Sequence, residues 1–482
     1  MSLTTGIEHL TPSPSKGQLF QGNYITNFDF TNQFLPDVYE KQAEIYGNRS
    51  IGGFLKLVSA EMPSASDEIR WVEQGRLHIA YKNVAISTNA FTVTFDTLPD
   101  GTSAGTAQVP AVRVGQTIMV QGLTSGGAHT GPVQKGVVTV AGANANSTTG
   151  TFTAKCLEAA NWNAVTGAAS FSKATVLVYG SEFAKGSAGM TGEIDAVYQS
   201  YTNKPMILKD NYAINGSDTA QIGWIEVTSE NGASGYLWYL QSEHETRQRF
   251  EDYLEMSMIE SVKKASNSGL SASESPGGTE GLFAALSGRG NVYTDLAADL
   301  SASGLPMTGF DTILKQLDKN GAIEENMLYI NKTLSLAIDD ALAAKNSYGT
   351  GGTSYGVFNN SEDMALNLGF SGFRRGGYDF YKTDWKYLND FGTRGQFGDI
   401  EGVLIPAGTS TVYDQELGQN IKRPFLHVRY RASETDDRKM KTWITGSVGG
   451  AYTTTTDEMR VSFLSERCLI TQGANNFFLL KN

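Results

Sequence analysis

The side chains that could do chemistry are few and scattered. Five histidines, His9, His78, His129, His244 and His427, lie beyond helical reach of one another, and no H-E-x-x-H or C-x-x-C spacing is present to hold a metal ion. His78 sits in a strand pattern beside Leu77 and Ile79, where a hydrogen-bonded imidazole of the fold is the ordinary role, and the same holds for His244 and His427. The run "SYGTGGTSYG" does not satisfy G-x-G-x-x-G, no G-x-x-x-x-G-K-[ST] cradles a phosphate, and no G-x-S-x-G elbow presents a serine. Carboxylate pairs such as Asp339-Asp340 and Asp436-Asp437 stand in polar runs, where solvated faces are the default among 50 acids. The sequence therefore assigns no catalytic, cofactor-binding or metal-ligating set, and a non-enzyme is expected.

Two groups of cations remain. "KRPFLHVRYRASETDDRKMK" holds Lys422, Arg423, Arg429, Arg431, Arg438, Lys439 and Lys441, interrupted by Glu434, Asp436 and Asp437. "FSGFRRGGYDFYKTDWKY" sets Arg374 and Arg375 among aromatics that could stack on bases or pair with acids of a neighbouring protein. A formal charge of −12 weighs against a surface built to grip phosphates, so the protein neighbour is the expected partner. Cys156 and Cys468 lie in separate apolar strand-like runs, as buried free thiols of a reducing compartment do. The start "MSLTTGIEHLTPSPSKGQ" has neither the charged nor the apolar part of a signal peptide, and no apolar run reaches about 18 residues, so a soluble cytoplasmic product is expected.

The elements that must position these residues are uneven. A chain of 482 residues predicts two or three compact units. Residues 1–35 are polar with scattered aromatics and read as an extended arm; "FLPDVYEKQAEIYGN" reads as a short helix; "FLKLVSA" and "EIRWVEQG" read as strands. From Thr88 to Ser172 only six residues are charged, and "AFTVTFDTL", "GQTIMVQGL", "GVVTVAGA", "TGTFTAKCL" and "ATVLVYGSE" recur as short β-rich runs, the pattern of a small barrel or sandwich. "YTNKPMILKDNYAINGSDTAQIGWIEV" reads as a long hairpin turning at Asn215-Gly216. It leads into "GYLWYLQSEHETRQRFEDYLEMSMIESVKKASNSG", where Phe250, Tyr253, Leu254, Met258 and Val262 recur at spacings of 3 and 4. The spacing predicts a helix of about 30 residues, roughly 45 Å long, with one buried stripe. A flexible loop, two further helices with one closed by Asn320-Gly321, and strands "LHVRYRAS", "MRVSFLSERCLITQG" and "NNFFLL" complete an α+β chain.

This order of parts resembles the major capsid proteins of tailed double-stranded-DNA bacteriophages. "YLWYLQSEHETRQRFEDYLEMSMIESVKKA" is similar to the spine helix of that family, Tyr201 to Val227 to the tip of its extended loop, "GFSGFRRGGYDFYKTDWKYLND" to an axial-domain strand, and "MRVSFLSERCLITQGANNFFLL" to the closing peripheral strands. The resemblance implies the Hong-Kong-97-type capsid fold with an inserted all-β domain. Its parts would be an N-terminal arm (1–35), peripheral-domain strands and the start of the extended loop (36–87), the inserted domain (88–180), the extended-loop hairpin (181–235), the spine helix and its loop (236–300), an axial domain (301–420) and closing peripheral strands (421–482).

By the same resemblance the chain would assemble with itself as hexamers and pentamers into an icosahedral virion shell enclosing double-stranded DNA without reading its sequence. It would be made in the host cytoplasm and work with a portal and with scaffold or cement proteins. An encapsulin-like nanocompartment shell, or a fibre, baseplate or surface-attachment protein, is the alternative. The residues expected at contacts between subunits are Trp224, Ile225, Trp238, Phe250, Tyr253, Arg374 and Arg375. Some relatives crosslink a loop lysine to a neighbour; for Lys204 and Lys209 the ion-paired or solvated role is expected.

Overall fold

The computed structural model describes residues 54–55, 60–75, 78–94, 109–124, 128–145, 149–162, 173–193, 198–220, 227–228, 234–235, 238–270, 277–301, 307–345, 372–407, 409–414, 419–448 and 452–482. The arm at 1–35 and the short helix read at 34–48 lie outside them. Contacts divide the chain into one unit of residues 1–49, 212–246 and 445–460 and a second holding the rest.

The long helix runs Trp238–Glu260, 23 residues, or roughly 34 Å. Phe250, Leu254, Met258 and Ile259 are its buried stripe, as the spacing predicts. It is shorter than the sequence predicts because the next residues are captured by a distant segment. The Lys264 N–H donates to the Gly277 carbonyl at 2.7 Å, and the Gly281 N–H to the Ser261 carbonyl at 2.7 Å. Val262, expected on the stripe, is exposed. The segment had good helical propensity, and tertiary hydrogen bonds outweighed it.

The β-rich stretch closes into a six-stranded antiparallel barrel, in the order Ala80–Ser87, Ala90–Thr94, Thr149–Cys156, His129–Asn144, Gln116–Leu123, Lys173–Ser181 and back to the first. Alternate residues point inward, so Val84, Phe91, Ile118, Val120, Phe152 and Val176 form one dry core. Phe91 stacks on Phe152 at 4.8 Å, and Trp162 meets Phe91 edge-on at 5.4 Å while its indole N–H donates to the Ala154 carbonyl at 2.7 Å. Gly136 makes room for that indole, since a Cβ there would stand 2.6 Å from the ring. Ala80–Ser87 is the one barrel strand with no counterpart in the sequence reading. Asn83 takes a positive φ of 59° and the pairing slips between Tyr81 and Val84, so its alternation is broken.

The strands that lead into and out of the barrel pair with each other. Ile69–Gln74 and Tyr198–Asn203 form an antiparallel ladder running from Ile69 opposite Asn203 to Gln74 opposite Tyr198, so the barrel is carried between the two strands of one ladder. Asn215-Gly216, expected to turn a hairpin, is not followed directly by a strand, and the residues expected to return, 221–226, lie outside the described residues. The strand Met206–Asn215 joins a sheet beside Glu458–Thr471, and Gly216 opens a short helix, Gly216–Thr219. A two-stranded ribbon is marginal in water, and a seat in a larger sheet satisfies more of its backbone. That sheet runs Ala60–Ser64, Leu426–Arg431, Glu458–Thr471, Met206–Asn215, with Lys441–Gly446 also on Glu458–Thr471. Phe54 and Leu55, read as strand, are helical.

A mixed six-stranded sheet, ordered Asn291–Thr294, Phe478–Lys481, Ile400–Pro406, Glu325–Ile330, Tyr378–Asp384, Gly372–Arg375, separates two hydrophobic cores. Phe477 and Leu479 enter the core shared with Met258, Ile259, Leu282 and Trp385, whereas Phe478 and Leu480 enter the one shared with Phe310, Ile313, Leu317, Leu334 and Ile338. That is the period of two of a strand covered on both faces. All seven residues of Ile400–Pro406 are buried as a result. The helices Thr308–Asn320 and Lys332–Lys345 supply the second core, and Gly321, left-handed at φ 64°, closes the first of them as its sequence signals.

The sheet draws strands from both sides of residue 421. Its second strand is Phe478–Lys481, the end of the segment expected with the closing strands, and its edge is Asn291–Thr294 from the segment expected with the spine. Strand order in a sheet is set by which apolar faces fit together, and chain order does not report it.

Candidate assembly site

The side chains singled out by the sequence, and their neighbours, divide into those fixed within the chain and those left exposed. The root of the barrel-bearing ladder is fixed. Asn203, ending the ladder, is buried; its Nδ2 donates to the Leu469 carbonyl at 2.7 Å and the Glu280 carbonyl at 3.1 Å. Its Oδ1 accepts from the Glu280 N–H at 2.9 Å, the Lys204 N–H at 2.9 Å and the Thr279 hydroxyl at 3.1 Å. One amide thus ties three segments of distant sequence.

Beside it, the Arg289 guanidinium lies over the Tyr201 ring at 4.5 Å and pairs with Glu280 at 2.9 Å. Burial, and then the nearby Glu73 carboxylate, push the Tyr201 hydroxyl above its ordinary pKa. Glu73 accepts from the Trp71 indole at 3.0 Å and the Gly473 N–H at 2.9 Å. Glu73, Tyr201, Arg289, Asn320 and Asn475 are among the residues around a cleft of about 390 Å³. The sequence reading singled out Asn320 for its helix closure and Tyr201 for its place in the loop, but not Asn203, Glu280 or Arg289, because an Asn, Glu or Arg inside a strand or helix carries no motif.

Four cations of the basic run, all between 431 and 441, are paired within their own chain. Arg438 pairs with Glu466 at 3.0 Å, Arg431 with Asp67, Lys439 with Glu61 and Lys441 with Asp436 at 2.7 Å. Buried Arg467 donates to the Lys439 carbonyl at 2.8 Å and to Ser465 Oγ at 2.9 Å, and burial pulls its pKa down. Burial also pushes the Cys468 thiol up to about 12, which leaves it inert. Lys204 pairs with Glu68 at 3.6 Å. Among the described residues no group of His, Cys, Asp and Glu could hold a metal ion, and no helix is long and apolar enough to cross a membrane.

The residues expected at subunit contacts separate into distinct classes. Trp224 and Ile225 lie outside the described residues, and Trp238 is described only as the first residue of the long helix. Phe250 is 1 % exposed and stacked on Phe463 at 5.9 Å, so its ring packs within its own chain. The i, i+4 spacing that made it conspicuous is the spacing of a core stripe. Tyr253, three residues on and one face round, is 45 % exposed. Arg375 is held by Asp311 at 2.6 Å, tying its hairpin to the helix Thr308–Asn320, while Arg374 lies in the open and reaches Asp379 at 3.5 Å.

Glu401 offers a test of this interior. It is buried in the central strand Ile400–Pro406, and its Oε2 accepts from the Ala297 N–H at 3.3 Å. Burial first, then Asp295 and Asp299, hold its carboxyl above the ordinary range. A raised carboxyl binds its proton more tightly folded than unfolded, so its contribution is fully present below the unfolded pKa and is lost as pH rises through the folded one. Glu401→Gln, which keeps the acceptor, is expected to gain stability over the parent at pH 7 and to show less advantage at pH 4. Urea midpoints at the two pH values measure this, and a pH-independent difference would remove the role given to burial.

No family model and no curated protein matches the sequence. Among solved structures, one of Mycobacterium phage Ogopogo overlaps 95 % of this chain and 99 % of its own at 9 % identity, with a TM-score of 0.39. The capsid structure of cyanophage P-SCSP1u overlaps 63 % of this chain and 80 % of its own at 11 % identity, with a TM-score of 0.34. An encapsulin complex from Synechococcus elongatus overlaps 59 % and 77 % at 9 % identity, with a TM-score of 0.30.

Proposed function

We propose that the chain is a major capsid protein of a tailed double-stranded-DNA bacteriophage, a subunit that assembles with copies of itself, as hexamers and pentamers, into the shell around the genome. The observation that carries the proposal is the barrel-bearing ladder. Val72 and Tyr198 on it are 58 % and 60 % exposed. The other face of this ribbon packs Trp71 and Tyr201 on Cys468 and Ile470, so the apolar side chains on its open face offer contact area to another molecule. Tyr253 repeats the pattern on the long helix, and the order of parts along the sequence supports the same subunit type. Such a subunit gains from many modest contacts, since the second and later ones form at high effective concentration. The inserted position of the barrel and the spine role of the helix belong to this proposal, as do a portal, a scaffold and packaged DNA.

Negative-stain electron microscopy with light scattering, on the purified chain over a range of salt and concentration, is the test. Closed shells, or rings of five and six, are the expected result; elongated trimers or fibres would replace the proposal with an attachment protein. Within that assay Tyr253→Asp is expected to leave the circular dichroism and the urea midpoint within about 0.5 kcal/mol of the parent and to raise the concentration needed for assembly. Shells at the parent's yield would take the exposed face of the helix out of the interface.

A further inference from the structure

The barrel differs from the rest of the chain in charge. Between Ala80 and Ser181 the sequence holds Lys82, Arg113, Lys135, Lys155 and Lys173 against Asp96, Asp100 and Glu158, a net of +2, which leaves −14 on the remainder of a chain of −12. The asymmetry is sharper on four consecutive barrel strands. Thr149–Cys156, His129–Asn144, Gln116–Leu123 and Lys173–Ser181 carry three lysines and no acid, in a chain of 50 acids.

Where these side chains point follows from alternation. Ile118, Val120, Val138, Ala154 and Val176 are in the barrel core, so Met119, Val137, Lys155 and Leu177 face outward. Gln134 and Gly136 are likewise buried, which turns Val133 and Lys135 outward. The register then sets Leu177, Met119 and Lys135 side by side across three strands, and Val137 beside Lys155 on the next line, where Thr117, the residue opposite Val137 on the third strand, is buried and adds no open surface. Val133 and Tyr179 flank them, exposed. This is an apolar sheet face with a cation at one end of each row, and among the described residues neither Lys135 nor Lys155 has an ion pair. A face of this kind fits an acidic surface that also offers apolar contact.

We infer that this barrel face docks on the acidic remainder of a second copy of the same chain, with Lys135 and Lys155 meeting carboxylates there. The inference rests on the capsid proposal for the presence of many copies, and on charge complementarity for the choice of occupant: every copy brings a net +2 barrel and a net −14 remainder. The ladder supplies the means, because it carries the barrel as a unit on paired strands.

The test compares the full chain with Lys135→Glu/Lys155→Glu and, separately, Met119→Asp, by light scattering and electron microscopy over a salt series. Circular dichroism and thermal unfolding report whether each variant folds. The expected result is that both variants fold as the parent does, that the double variant needs on the order of tenfold more protein to associate, and that its association loses the parent's weakening by salt. Zero-length carbodiimide coupling of shells made from mixed light- and heavy-isotope chains is expected to join Lys135 or Lys155 to a carboxylate of another copy. Parent shells with both lysines coupled only within one copy, or a double variant that assembles as the parent does, would overturn the inference while leaving the capsid proposal standing. A parent that stays monomeric under every condition, co-expression with the scaffold protein of the same genome included, would overturn both. Retention of the parent on double-stranded DNA, lost in the double variant, would assign the face to phosphates and overturn the choice of a second copy.

Discussion

Asn203→Ala is expected to destabilise the protein by roughly 3–5 kcal/mol, among the largest effects of any single truncation here. The cost does not come from lost apolar area. Removing the amide leaves the Leu469 and Glu280 carbonyls without a donor, and the Glu280 N–H and Thr279 hydroxyl without an acceptor. Buried groups left in that state lose their whole desolvation penalty, about 1–3 kcal/mol each, less what entering water restores. Asn203→Asp tests the mechanism, since it keeps all three acceptor bonds but turns a carboxylate toward two carbonyl oxygens. It is expected to be no better than alanine at pH 7 and to recover part of the loss at pH 4, where a protonated carboxyl can donate again. Thermal unfolding followed by circular dichroism measures both, and an alanine variant that melts with the parent would show that Asn203 does not hold the ladder's root.

Phe250→Ala should cost a similar amount, about 3–5 kcal/mol, by a different mechanism. The ring is enclosed and packed on Phe463, in the helix whose stripe continues through Leu254 and Met258. Truncation combines the lost transfer energy with a cavity that a helix fixed at several points cannot close. Phe250→Leu should recover more than half of the loss. The informative contrast is with Tyr253, three residues away, whose exchange should alter assembly and spare stability. If Phe250→Ala unfolded with the parent's urea midpoint while failing to assemble, the assignment of Phe250 to the core would be wrong and its original place at a subunit contact restored.

The residues that matter for each fate were legible to very different degrees. The stripe on the long helix, the closure at Asn320-Gly321 and five of the six barrel strands could be read directly, because periodicity, capping glycines and β-branched runs are local signals. Local signals also misled where a distant segment competed. The helix stops at Glu260 because residues 277–281 hydrogen-bond to Ser261 and Lys264, and Met206–Asn215, expected in a hairpin, takes a place in a sheet beside Glu458–Thr471. The 422–441 run looks like a cationic patch on paper. In the fold, Glu61, Asp67, Glu466 and Asp436 answer four of its cations, three of these acids arriving from other parts of the chain.

By itself, then, the sequence determined element types, the compositional break that sets off the barrel, the absence of the common catalytic motifs and the ordering of parts that resembles a capsid subunit. These depend on neighbours within a few residues, or on totals. The tertiary structure alone decided that the closing strand Phe478–Lys481 sits beside Asn291–Thr294 and Ile400–Pro406, that the barrel hangs between two paired strands, and that Phe250 is enclosed while Tyr253 is not. Each of those outcomes depends on which apolar faces and unpaired backbone groups meet across hundreds of residues, a many-body balance in which the same local pattern can end inside a core or on a surface left for another chain.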